Sequence, residues 1–561
     1  MMPGVLIVYV ALVVATFYPR GTEPLLYRPA ATLAGAVAMA LATYLAQRAV
    51  SARFLAERPV DARRALARYG RAVPLVSLLA LASFSSLVYL GHWPLLVDEA
   101  LERAWPWPAG TGLAAADAAL RFVLTAASLA LILAPLALSL GAAWLAQHPA
   151  ERALRGGDLP LRAWLRFRYQ TLLAFSLLPA LILVSLESSL SGVPLWRREL
   201  EVYPAIGWVA GAVLFLGMFA GFPILLRLGF RAGPLPPGPL RDRLEALCAR
   251  AGFRCRDLLV WDTQGTRVLN AFIAGLVPSL RYVFFTDALL ERLDPDEVEA
   301  VLAHEIGHAA CRHLRWYGVL TVGFVAITAA VMTWVQASFG EEILPQVLSE
   351  VLLMATYLGC VLGILSRRFE TEADLYATRL LGDPLRFAAA LVKVIRLNGG
   401  SLTRGSWLNP THPSPARRLA FLAGVAQRPE LEVRFLRAQR RLMALAALVV
   451  LAGLAGAWRA AAGQLDGAAG RWRALEQREE AMRLWEEADA LSRKDRDAAA
   501  AARLEEAADQ DPGNARLRTA LGDRLFRLGR PDGALAAYAE ADRLGPRELR
   551  LRQHLAARLG R

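Results

Sequence analysis

The chain is poor in histidine and cysteine, with 7 His and 4 Cys in 561 residues. Cys248, Cys255, Cys311 and Cys360 show neither short metal-knuckle spacing nor a dense framework. That excludes a disulfide-stapled fold and a Cys-based structural zinc site, and the four read as free thiols. Charge is also scarce, at 20% against 55% hydrophobic residues. The net charge of +14 lacks the form that nucleic acid requires. The arginines flank apolar runs instead of forming one basic patch interleaved with aromatics, so no nucleic-acid partner is expected. The apolar runs before residue 228 carry no evident cluster of buried charges, which argues against a transporter.

What is abundant is long apolar sequence. Nine stretches approach spanning length, near 2–18, 29–47, 72–92, 120–147, 170–189, 204–227, 318–337, 346–365 and 442–458. The first and last are short, so eight or nine spans are expected. The first has neither a charged leader region nor a small-residue cleavage site, and it reads as a retained anchor. Arg48, Arg53, Arg58, Arg63, Arg64, Arg68 and Arg71 crowd the loop after the second stretch. Arg152, Arg155, Arg162, Arg166 and Arg168 crowd the loop after the fourth, whereas Asp98, Glu99 and Glu102 follow the third. The positive-inside rule then puts the N-terminus, both Arg-rich loops and residues 304–308 in the cytoplasm. If the final stretch crosses, the chain beyond it lies on the opposite side.

Residues 304–308 read His-Glu-Ile-Gly-His. On a helix, positions four apart share a face, so His304 and His308 can present two imidazoles to one Zn²⁺. Glu305 lies beside them, where a carboxylate can take a proton from a metal-activated water. The helix start is well marked: Asp294 as N-cap, Pro295 at the first position and Glu297 closing a capping box. Val298, Leu302 and Ile306 give an apolar stripe that would seat this helix on a core.

A catalytic zinc needs a third protein ligand. His313 does not fit the spacing of the three-histidine proteases, because Cys311 and Leu314 stand where Gly and His are required. It reads instead as an interfacial histidine before the next span. Past the hairpin of the seventh and eighth stretches, Glu370 and Asp374 stand four apart. Glu370 can ligate, and Asp374 can hold the free ring N–H of a ligating histidine. Glu372 competes with Glu370 on spacing alone. Arg267–Ile273 and Tyr282–Phe285 read as paired strands, and an edge strand near the metal could hold an extended substrate by strand addition.

Four segments together resemble the M48 metallopeptidases, the family of the CAAX prenyl proteases and of HtpX. They are Leu269-Asn270-Ala271-Phe272, the His304–His308 motif, Ser366–Glu370 with Asp374, and Thr411-His412-Pro413 with Arg418. The resemblance implies Zn²⁺ held by His304, His308 and Glu370, Glu305 as general base, and Asp374 in support. It also implies that His412 and Arg418 line the centre and that Asn270, Ala271 and Phe272 contact substrate. The implied fold is mainly α: a polytopic helical membrane protein with a gluzincin-type metallopeptidase domain (a small β-sheet plus zinc helices) and C-terminal helical repeats. Expected domains are a membrane region over 1–228, a peptidase domain over 229–430 containing the hairpin 318–366, a span over 431–460 and a tail over 461–561. In the tail, Leu521, Gly522, Leu525, Ala534, Tyr538 and Ala541 fit a 34-residue tetratricopeptide pattern, with a weaker copy one period earlier. The implied partners are membrane-associated protein or peptide substrates, the lipid bilayer and a protein docked on the tail. The implied location is a bacterial inner membrane. The main alternatives are prenyl-peptide processing and a non-catalytic scaffold using the tail.

Overall fold

The protein is described by a computed structural model covering residues 28–104, 114–155, 158–191, 198–200, 202–263, 265–340, 343–398 and 413–544, with a few isolated positions nearer the ends. Among these residues, eight helices are long and apolar enough to cross a membrane. They are Pro29–Glu57, Ala62–Tyr89, Ala116–Leu154, Leu161–Ser189, Val209–Gly229, His313–Phe339, Leu344–Leu381 and Glu430–Gly463. The stretch expected at 2–18 lies almost wholly outside the described residues. The chain divides into two compact units, one of residues 1–17, 30–190 and 208–460, the other of 18–29, 191–207 and 461–561.

In the first unit, several spans continue as helix past their apolar stretch. Ala114–Leu154 is the clearest case, and its polar end, beyond the apolar run 120–147, buries a charge. Glu151 is buried and accepts from Gln147 Nε2 at 3.0 Å, Arg155 Nε at 3.2 Å and Tyr69 OH at 3.3 Å. Arg168 packs its guanidinium 5.0 Å from the ring centroids of both Trp144 and Trp164. Arginines that sequence assigns to a loop therefore belong partly to a buried polar network around Glu151.

The sheet of the peptidase region has order β1-β2-β4-β3, with β1 Gly233–Pro234, β2 Asp257–Trp261, β3 Ala271–Ala274 and β4 Tyr282–Thr286. β2 and β4 run parallel, and β3 pairs antiparallel with β4 in the register Ala271↔Phe285. The strand pair expected from sequence is present, with β3 starting at Ala271. Side chains alternate in the two-residue period of a strand. Ala271, Ile273, Val283 and Phe285 join the core beneath the helices, whereas Phe272, Ala274 and Phe284 face an aromatic cluster with Ala174, Leu226 and Phe230. Phe230 stacks on Trp261 with centroids 3.9 Å apart, which ties the sheet to the membrane helices.

Six helices frame the site: α1 Pro295–Ala310, α2 His313–Phe339, α3 Ser366–Leu381, α4 Pro384–Leu397, α5 Pro415–Gln427 and α6 Glu430–Asp466. α2 leaves the site into the membrane, and the chain returns to α3 through a π-helical stretch, Tyr357–Leu365. α2 and α6 approach closely because glycine faces bulk: a Cβ at Gly323 would stand 2.5 Å from Val450, and one at Gly453 2.6 Å from Ile327. Small residues at such crossings are the usual device of membrane helices.

The second unit contains the tail helices Ala468–Ser492, Asp497–Gln510, Ala515–Arg527 and Pro531–Arg543. Its core holds Ala488, Leu504, Leu521, Leu525, Ala534, Tyr538 and Ala541. Gly522 gives room to the Tyr538 ring, since a Cβ there would lie 2.6 Å from Cε1. Residues 198–200 and 202–203, mostly helical, belong to this unit. Arg198 pairs with Glu479 at 2.8 and 2.6 Å, and Arg471 Nε donates to the Val202 carbonyl at 2.7 Å.

Candidate metal centre

α1 is fixed before its histidines are placed. The Asp294 N–H donates to Glu297 Oε2 at 2.8 Å, the return arm of the capping box, and Lys393 on α4 reaches the same oxygen at 2.6 Å. Val298, Leu302 and Ile306 are fully buried, so the rotation of the helix is set by the core. His304 and His308 then project together, their Nε2 atoms 3.3 Å apart.

α3 brings Glu370 to the same point. Its Oε2 lies 3.6 Å from His304 Nε2 and its Oε1 3.5 Å from His308 Nε2. A tetrahedral ion with bonds of about 2.0–2.1 Å separates its donors by about 3.3 Å, so the three side chains fit a zinc ion. They retain 12, 16 and 8% exposure, in the order His304, His308, Glu370, enough for a ligand to enter a largely dry site. The approach of α3 depends on Gly307. A Cβ there would stand 3.0 Å from both Cα and the carbonyl oxygen of Ala373.

The outer faces of both histidines are occupied. Asp374 Oδ1 lies 2.9 Å from His304 Nδ1, at an oblique angle for an N–H bond. Arg418 on α5 holds Asp374 through Nε at 2.7 Å and reaches Glu370 Oε2 at 3.3 Å. Phe387 stacks on the His304 ring at 5.9 Å. His308 Nδ1 lies 3.0 Å from His313 Nδ1, and His313 Nε2 lies 3.2 Å from Glu372. His313 is fully buried, which corrects its reading as an interfacial residue. The cause is Arg312, whose left-handed backbone (φ 62°, ψ 27°) folds the start of α2 back against α1. Glu372, the competing acid, faces His313, while Glu370 stands with the two histidines.

Electrostatics distinguishes the two histidines. Burial pushes His308 down to about 3, so it stays neutral with a lone pair to offer. Burial acts likewise on His304, but the carboxylates of Asp374 and Glu370 outweigh it and raise its pKa. Glu305 is half-buried on α1, and its charge reaches Arg418.

Other sequence-derived candidates lie as follows. His412 falls outside the described residues. β3 is an edge strand of the sheet, so one side of its backbone is unpaired within the sheet. Thr286 takes both main-chain groups of Asn270, through Oγ1 at 3.0 Å and its N–H at 3.0 Å. Phe272 turns to the opposite face from Ala271 and stacks on Phe284 at 4.7 Å. Phe387 and the close contact at Gly307 were missed by sequence reasoning, which also read His313 as interfacial and not as a neighbour of His308. Only Gly307, a glycine inside a helix, carried a signal.

Two histidines one turn apart, a glutamate across a membrane hairpin and eight apolar helices among the described residues define a multi-pass membrane protein with a two-histidine, one-carboxylate cluster that could hold a metal ion. Peptidase family M48 matches residues 234–426. The chain is 32% identical over 278 residues to a protease HtpX homolog of Moorella thermoacetica, covering 42% of this chain and 88% of that protein. It is 28% identical over 240 residues to a CAAX prenyl protease 1 homolog of Oryza sativa subsp. japonica, covering 40% of this chain and 56% of the relative. The chain thus spans about half the length of the plant prenyl protease homologues it matches. It is also similar to the crystal structure of S. mikatae Ste24p, with TM-score 0.46 and 19% identity over 73% of this chain and 98% of that one. The chain belongs to peptidase family M48.

Proposed function

We propose that the protein is an integral membrane zinc endopeptidase. The observation that carries this reading is the meeting of His304 Nε2, His308 Nε2 and Glu370 at 3.3–3.6 Å, with Glu305 on the same helix. These three side chains would hold a zinc ion, which would supply Lewis-acid activation of a water and of the scissile carbonyl. Glu305 takes the proton from the attacking water and returns it to the leaving amine. Asp374 and His313 hold the outer nitrogens of His304 and His308 and so fix both rings. Arg418 balances the charge of Asp374 and Glu370. The free edge of β3 offers main-chain groups to an extended peptide near α1, with Ala271 and Phe272 contributing backbone. His412 is assigned to stabilising charge in the transition state, by likeness to the family motif.

The proposed role is proteolysis of membrane-associated proteins in quality control, in a bacterial inner membrane. The likeness to CAAX prenyl protease homologues supports prenyl-peptide processing as the second reading. The arginine distribution puts α1 on the cytoplasmic side. Four candidate spans separate the 198–203 segment from the tail it touches, and an even number of crossings returns the chain to one side. Both segments are therefore assigned to the non-cytoplasmic side, with the tail free to dock a protein partner.

The test is cleavage of casein and of a reconstituted membrane protein by the purified enzyme and its Glu305→Gln variant. Loss of about 10²–10⁴-fold in rate is expected. A variant that cleaves as fast as the parent removes Glu305 as the base, and a parent that cleaves nothing removes the peptidase reading.

A further inference from the structure

Beside the first centre, Cys311, His313 and Glu372 bring a thiol, an imidazole nitrogen and a carboxylate oxygen within 4.8 Å of one another. The chain makes a specific effort to place them. Cys311 ends α1, His313 begins α2, and between them Arg312 adopts a left-handed conformation that costs a non-glycine residue about 1 kcal/mol or more. His313 is locked by stacking on Phe369, with ring centroids 4.2 Å apart. A cavity of about 350 Å³ adjoins the trio, lined by Cys311, Glu372, Phe369, Trp316, Gln439 and Met443. Gln439 is 3% exposed, and its Nε2 has no hydrogen-bond partner, so the cavity wall carries a buried polar group without a protein partner.

We propose that Cys311, His313 and Glu372 form a second site for a thiophilic divalent cation such as zinc, and that filling it switches the first centre off. Thiolate, imidazole and carboxylate are the donor types of zinc sites, and the thiolate disfavours magnesium and calcium. Cys311 gives up its thiol proton to solvent when the cation binds.

The inhibitory coupling follows from counting protons on the histidines. His308 offers Nε2 to the first centre, which leaves its proton on Nδ1. That N–H donates to His313 Nδ1, 3.0 Å away. His313 must then carry its own proton on Nε2, which donates to Glu372 at 3.2 Å. A cation at the trio takes His313 Nε2 as ligand and moves the ring proton to Nδ1. Two N–H groups then oppose each other, and His308 loses the acceptor that orients it. Filling either site therefore weakens the other, and the weakening is reciprocal. The loss of activity rests on the peptidase reading; metal binding at Cys311 does not.

Full-length protein carrying one equivalent of zinc is titrated with Co²⁺ and followed by near-ultraviolet absorption. A thiolate-to-cobalt charge-transfer band is expected, because the first centre contains no sulfur. Cys311→Ser should abolish the band and Glu372→Gln should weaken it. His304→Ala, which damages the first centre, should keep it. In the cleavage assay, excess zinc should slow the parent about tenfold or more. It should leave Cys311→Ser unaffected, with the basal rate of that variant at one equivalent equal to the parent's. No band, or a band that survives Cys311→Ser, overturns the site. A Cys311-dependent band without inhibition overturns the coupling. If no variant cleaves anything, the cobalt spectra alone decide whether the site exists.

Discussion

Arg418 grips Asp374 with two guanidinium nitrogens, Nε lying 2.7 Å from Oδ2 and Nη2 bonding Oδ1. Its third nitrogen lies 3.3 Å from Glu370 Oε2. One cation on α5 thus orders two carboxylates on α3, one facing the histidine pair and one behind His304. Arg418→Ala leaves two buried acids without their counter-charge, and we expect it to destabilise the protein by about 3–5 kcal/mol. Zinc affinity should fall about 10–100-fold. Arg418→Lys keeps the charge but loses the planar fork, so it should rescue stability better than affinity. Thermal unfolding and chelator competition read the two effects separately.

The separation of α1 from α3 is set at Gly307. Gly307→Ala should cost about 1–3 kcal/mol and weaken zinc binding by moving Glu370 away from the histidines. Two of the three atoms nearest the added methyl are the Cα and carbonyl oxygen of Ala373. Adding Ala373→Gly should therefore fail to rescue either property, which differential scanning calorimetry and zinc titration can show.

Much of this centre was legible before any coordinates. The capping residues Asp294, Pro295 and Glu297 act through neighbours in sequence, and His304 with His308 needs only the helical period. Glu370 with Asp374 was visible for the same reason. The choice of Glu370 over Glu372 came from the family resemblance and not from spacing, because it depends on which face of α3 meets α1. His313 was misread because one left-handed residue, Arg312, reverses the chain where regular spacing would continue. The network of Glu151, Arg155 and Arg168 was hidden because it closes on Tyr69, distant in sequence, and each charge looks like a loop charge.

Acid stability should report a different cluster. Glu299 accepts from Arg243 Nε at 2.7 Å and from Arg386 Nη2. Burial works against its charge, but the two arginines outweigh that and hold its pKa below the usual carboxylate range. A carboxyl group with a depressed folded pKa stabilises the protein above its unfolded pKa, about 4.3, and that stabilisation is lost as pH falls through the folded value. Glu299→Gln should therefore lower the melting temperature at pH 7, by the equivalent of about 1–3 kcal/mol. The gap between variant and parent should narrow as pH falls below the unfolded value and close once it passes below the depressed folded value.

Membrane topology offers a check independent of catalysis. In a background without reactive native cysteines, Gly513→Cys in the tail and Arg254→Cys in the peptidase region should label from opposite sides. An impermeant maleimide should reach Gly513→Cys in intact spheroplasts and Arg254→Cys only after lysis. Labelling of both from one side contradicts the three crossings that separate Arg254 from the tail.

The central claim is a zinc ion held by His304, His308 and Glu370. Its most direct test is the zinc content of purified protein at limiting metal, for the parent, Glu370→Gln and Glu372→Gln. The account predicts one tightly held zinc in the parent, no zinc of that affinity in Glu370→Gln, and one, held more weakly, in Glu372→Gln. A Glu370→Gln protein that retains zinc at parental affinity would contradict it, as would a Glu372→Gln protein that holds none.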